Sequence, residues 1–167
     1  MQHLLKRLFE PQINGPEIAL LLAQTLDVQI SESTIKKELE EHPDYPSLLS
    51  ISDVLTAYGI GNLTAKINSD QLVNAPVPFI TQIKGKKQAI NFFTVVKKIT
   101  AESVCFFDPE KHLWDMCSMN DFSTRSSSII LLTEVQNNAG EKKYIQKINS
   151  ENVSEMHKIL WHFGYLL

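Results

Sequence analysis

The side chains that could serve as nucleophile, base or metal ligand near neutral pH are few. The chain of 167 residues has two cysteines, Cys105 and Cys117, and five histidines. Cys105 sits in the apolar run Val104-Cys105-Phe106-Phe107, where a cysteine reads as a small core residue rather than an activated thiol. Cys117 lies beside Asp115 and Ser118 at the end of a strand pattern, where a thiol can be exposed, but no histidine sits within a few residues of it. A base for it would have to come through folding, from His112 or His42. His157 and His162 are five apart and do not share a helix face, which argues against a metal pair. Two cysteines are too few for a disulfide framework or an ordinary structural zinc site, so no metal and no cofactor is expected.

One loop concentrates polar groups. His42-Pro43-Asp44-Tyr45-Pro46 could be a catalytic loop, a binding loop or a rigid joint. Each proline disfavours the helical conformation in the residue before it, so Pro43 helps to end one helix and Pro46 leaves Ser47 free to cap the next. Asp44 and Tyr45 are then held on a stiff segment, where an aromatic ring can pack on the core or line a cleft.

The elements that must position these residues follow from periodicity. Asn14-Gly15-Pro16 opens a helix over about 16–27, apolar on nearly every side and so expected to be central. Ser31 or Ser33 caps a second, highly charged helix, TIKKELEEH, and Ser47 caps a third that Gly59 stops. The period then changes to two. Strands are expected at 63–67, 77–83, 90–99, 103–107, 112–117 and 128–135, with one helical turn at 69–73. Helices first and an antiparallel sheet afterwards is an α+β order. The polar stretch 136–143 reads as a linker, and residues 158–167 grow steadily more apolar. The expected division is therefore 1–135 and 136–167.

A net charge of −3 and a pI near 5.9 provide no global basic field, so nucleic acid is not an expected partner. Lys84, Lys86, Lys87, Lys97 and Lys98 cluster around one hairpin and read as a sheet edge defended by charge. The N-terminal MQHLLKRLFEPQ is a short amphipathic segment rather than a signal sequence.

Five stretches in order, PSLLSISDVLTAYGI, VPFITQI, NFFTVVKKI, VCFFDPE and MNDFSTRSSSIILL, resemble the double-glycine leader peptidase domain of bacteriocin-exporting ABC transporters. The likeness covers about residues 12–135 and implies a papain-like cysteine peptidase fold. That family cleaves with a cysteine at the start of the first buried helix, a histidine before a hydrophobic strand, and an aspartate in an aspartate-proline turn. Here the first region is Gln12-Ile13-Asn14-Gly15-Pro16, with no cysteine before Cys105. The histidine position is Asn91 or Phe92, and neither can shuttle a proton near neutral pH. Only Asp108 stands where the third residue stands, and Gln12 stands for an oxyanion-stabilising glutamine. The resemblance therefore implies a catalytically inactive member, with Gln12, Asn91 and Asp108 as remnants. Asp44, Tyr45, Asn91 and Phe92 are the candidates for binding a peptide or protein client.

The block EEHPDYPSLLSISDVLTAYGI is more similar still to the N-terminal domain of bacterial membrane proteins that carry a vitamin K epoxide reductase-type membrane domain. This implies a cytoplasmic domain at the inner face of the membrane, with the apolar segment at 158–167 as the start of a membrane span. Two other readings stand beside it: an active leader-cleaving cysteine peptidase with a relocated nucleophile, and a structural or oligomerisation domain.

Overall fold

A computed structural model describes residues 14–87 and 90–162. Three helices open the described chain: α1 (Gly15–Thr25), α2 (Glu32–Glu40) and α3 (Leu48–Ala57). Strand β1 (Ile60–Lys66), a single helical turn α4 (Ser69–Leu72), and strands β2 (Phe79–Lys84), β3 (Asn91–Ile99), β4 (Ser103–Asp108) and β5 (Leu113–Ser118) follow. Helix α5 (Met119–Arg125), strand β6 (Ser126–Val135) and helix α6 (Tyr144–His162) complete it.

All strand pairs are antiparallel, and the sheet order is β1-β6-β2-β3-β4-β5. Strands β2 to β5 form the expected meander, but β6 returns to lie between β1 and β2. The expected α+β, papain-like arrangement of helices on an antiparallel sheet is the observed one.

Because strand side chains alternate, the sheet has two apolar faces, and each builds a core. One face presents Ile80, Phe93, Val95, Phe107 and Leu131 to α1, α2 and α3. The other packs Phe79, Ile83, Val96, Val104, Phe106 and Ile130 against Leu72 of α4 and Phe122 of α5. Phe106 and Phe122 meet with ring centroids 5.4 Å apart. Helix α5 is absent from the sequence reading, because seven residues with one apolar anchor, Phe122, are too short to show a period.

Two expectations need correction. Helix α1 is not buried all round: Ile18, Ala19, Leu22 and Ala23 are, whereas Leu20 and Leu21 are only partly covered. Its excess apolarity serves a groove described below. The lysine cluster is not at a sheet edge, since β2 and β3 are interior and the edges are β1 and β5. Two of those lysines are engaged instead, Lys86 with Asp121 at 3.4 Å and Lys97 with the Trp114 ring at 3.9 Å.

The stretch 136–143 is tied down along its length. The Gly140 amide donates to Tyr58 O and the Glu141 amide to Gln29 O, both at 2.8 Å. Beyond it, the charged and polar residues of α6 interrupt its apolar ones, and none of its 19 residues is buried. No described helix is long and apolar enough to cross a membrane, and residues 163–167 of the expected span lie outside the described residues.

Candidate functional site

The N terminus of α1 points at the open end of β3. Asn14 is the N-cap residue, a type that usually accepts a backbone amide of its own helix, yet its side chain makes no such bond. Instead its Nδ2 donates to Phe93 O at 2.8 Å and its Oδ1 accepts from Phe93 N at 3.1 Å. The carboxamide thus imitates a neighbouring strand where Phe93 has lost its β4 partner, and it fastens the start of the helix to the sheet.

The edge of the Tyr45 ring lies 3.7 Å from where a side chain on Gly15 would begin, so Tyr45 covers the first turn of α1. Burial pushes its phenol pKa up, and Glu40 adds to the rise. Asp108, at the end of β4, is 5% exposed. Its Oδ1 accepts from the Glu110 amide at 2.9 Å and the Lys111 amide at 3.2 Å, and its other oxygen faces the Lys111 ammonium at 3.7 Å. The carboxylate is therefore spent on its own turn and on a lysine.

Register separates the two candidates on β3. Phe92 pairs with Ile83, and Val96 with Phe106, so Phe92, Thr94 and Val96 share the face of Phe106 and Asp108. Asn91, one residue earlier, is on the helical face and exposed. Of the two candidates Phe92 is thus the one on the face of Asp108, two residues before Thr94, which the register sets opposite Asp108. Gln12 lies outside the described residues.

His42 is fully committed. Its Nδ1 accepts from the Asp44 amide at 3.1 Å, which leaves the Nε2 proton to donate to Asp53 at 3.3 Å. The ring braces its loop, and Asp44 stands exposed beside it. His112 reaches α1 from the β4–β5 turn: its Nδ1 donates to the Glu17 carboxylate at 2.8 Å.

Neither cysteine is brought near this corner. Val104 pairs with Cys117 and Cys105 with Met116, which puts the two thiols on opposite faces of the sheet. Desolvation by the second core, reinforced by Asp121, raises the Cys117 thiol to about 11. It is protonated at neutral pH and is a poor nucleophile. Among the described residues no group of three metal-ligating side chains is close enough to hold an ion.

Alongside the clasp runs a groove of about 250 Å³, lined by Pro16, Glu17, Leu20, Leu21, Gln24, Glu32, Lys36 and Phe107. Its floor is apolar and its rim charged, the arrangement that receives the side chains of an extended or helical peptide. Of these residues, none was picked from the sequence as a site residue. The available signal was the surplus of apolar positions on α1, since leucines at 20 and 21 exceed what one buried stripe needs.

Residues 17–138 match the model of the Peptidase C39 family. Among solved structures the chain is similar to the peptidase domain of Streptococcus ComA, a bifunctional ABC transporter involved in quorum sensing, with a TM-score of 0.62 and 18% identity over 75% of this chain and 96% of that one. It is likewise similar to a double-glycine motif protease from an AMS/PCAT transporter, solved in complex with its leader peptide: TM-score 0.63, 16% identity, 77% of this chain and 88% of that one. The peptidase C39-like domain of a Vibrio parahaemolyticus toxin secretion ATP-binding protein gives 0.57 and 10% over 76% of this chain and all of that one. No curated protein matches. An antiparallel sheet capped by three helices, a helix N terminus directed at β3, an aspartate-proline turn beside it and a family model spanning most of the chain lead to one statement: this protein belongs to the Peptidase C39 family.

Proposed function

We propose that this domain binds a peptide client without cleaving it. The observation that carries the reading is the pairing of a surviving groove with a spent corner. The apolar groove along α1 opens beside the helix N terminus, while that terminus holds a carboxamide bonded to the backbone, and Phe92 offers no proton acceptor. A C39 peptidase needs a thiolate and a base at this point; among the described residues no cysteine reaches it, and His112, which does reach the first turn of α1, is bound to Glu17. The double-glycine protease of similar fold was solved with a leader peptide bound, which supports a peptide of that kind as the client class here.

The relocated-nucleophile alternative draws no support from Cys117, whose surroundings hold it protonated and away from the clasp. By its resemblance to fusions with vitamin K epoxide reductase-type membrane domains, the domain would present its client to a membrane thiol-oxidoreductase, from the cytoplasmic side. The deciding measurement is a calorimetric titration of the protein with a synthetic double-glycine leader peptide, followed by mass spectrometry of the mixture. The expected result is saturable binding and an intact peptide. Absence of binding, or cleavage that vanishes in Cys117→Ala, overturns the proposal.

A further inference from the structure

Helix α2 has two clients on two sides. Glu32 and Lys36, four residues apart and therefore on one side of the helix, line the groove. Ser31, Ser33 and Thr34 face the C-terminal arm. The Glu141 carboxylate, brought by the strap 136–143, accepts from the Ser31 amide at 2.9 Å and from the Thr34 hydroxyl at 2.6 Å. It thereby satisfies donors at the N terminus of α2, where a negative charge is also favoured by the helix dipole. Lys147, from the first turn of α6, reaches Glu141 at 3.1 Å and also touches the Thr34 hydroxyl. One turn later Glu151 accepts from the Ser33 hydroxyl.

No residue of α6 is buried, and this polar cluster ties its first two turns to α2. An attachment of that kind opens locally at a small cost compared with global unfolding. Lys147 and Glu151 link the arm to the N terminus of α2, and α2 carries one wall of the groove.

We propose that α6 is a regulatory arm whose docking onto α2 holds the groove wall in its peptide-accepting position, so that the arm and a bound peptide are energetically coupled. The proposal rests on the peptide-binding reading of the groove. Coupling between two sites is reciprocal, which supplies a test without mutation: occupancy of the groove must strengthen the docking of the arm.

The experiment uses the full chain. Hydrogen exchange of the α6 amides is followed with and without a saturating synthetic double-glycine leader peptide, and peptide affinity is measured by calorimetry for wild type, Glu141→Gln and Lys147→Ala. The second variant leaves the α2 cap of Glu141 in place and guards against a general loss of fold in the first; circular dichroism verifies both. Slower α6 exchange in the presence of peptide, with affinity reduced about five-fold or more in the variants, supports the coupling. If the wild type binds peptide but α6 exchange is unchanged by it, or if the variants release α6 without changing affinity, the arm is only an appendage. If the wild type binds no peptide, both the coupling and the peptide-binding reading fall.

Discussion

At the start of α1 the Asn14 carboxamide leaves its usual capping role and bonds both polar backbone atoms of Phe93. The exchange is physically sensible. β4 ends before it can pair with this part of β3, and a partly buried amide and carbonyl without partners are costly, on the order of 1–3 kcal/mol for a group left unsatisfied. Asn14→Ala is therefore expected to lower the stability to chemical denaturation by about 1–3 kcal/mol. Asn14→Cys places a thiol at the helix N terminus but leaves Phe92 without a proton-accepting ring, so incubation with a double-glycine leader peptide should show no cleavage by mass spectrometry. Detectable cleavage by that single variant would mean that another group serves as the base. His42 illustrates the opposite lesson. Its type suggested chemistry, but a backbone amide and Asp53 occupy both ring nitrogens, and nothing in the pentapeptide itself foretells Asp53.

Between elements, the strongest electrostatic feature is the Glu141 clasp. Burial works to raise its carboxyl pKa, but the Thr34 hydroxyl, the Ser31 amide and hydroxyl, and the Lys147 ammonium together hold it down at about 2, from an ordinary 4.5. A carboxyl depressed in the folded state stabilises the fold above its unfolded pKa, and that stabilisation is lost as the pH falls through the folded value. The protein should thus lose on the order of 2–3 kcal/mol between pH about 4.5 and about 2, and Glu141→Gln should flatten that part of the stability curve measured by urea titration. An unchanged acid limb in the variant would show that other carboxylates carry it. Gly59 belongs to the same junction. Its φ is +78°, and a side chain there would begin 2.9 Å from the Ala139 Cα, so glycine is required both by the turn and by the strap that crosses it. The sequence marked Gly59 as a helix stop, which it is, but the crossing chain comes from 80 residues away.

Taken whole, the described chain is a sheet with a core on each face, and the helical side leaves a groove uncovered. The groove's location beside the Asn14 clasp is what ties the architecture to the proposed peptide binding. Leu20→Lys places a charge on its floor at a position only partly covered by the core. Full burial of a leucine is worth about 1.5–3 kcal/mol and about 1.4 kcal/mol is tenfold in affinity, so leader-peptide binding should weaken at least about tenfold. The melting temperature should fall little in comparison. Equal affinity in Leu20→Lys and wild type would place the client elsewhere on the surface.

Read alone, the amino-acid order was enough for the helices-then-sheet arrangement, the cap Ser47, the strand runs and the family resemblance, because these depend on neighbours within one or two turns, whereas it left the cap of α2 open between Ser31 and Ser33. It was also enough to show that no cysteine stands at the head of α1. Long-range pairing supplied the rest. The insertion of β6 between β1 and β2, the two-sided cores, the bond from Asn14 to Phe93 across 79 residues and the clasp of Glu141 on Ser31 across 110 depend on contacts that no local period encodes. The same holds for the face on which a β3 side chain projects: a shift of one residue exchanges Asn91 for Phe92, and only strand register distinguishes them.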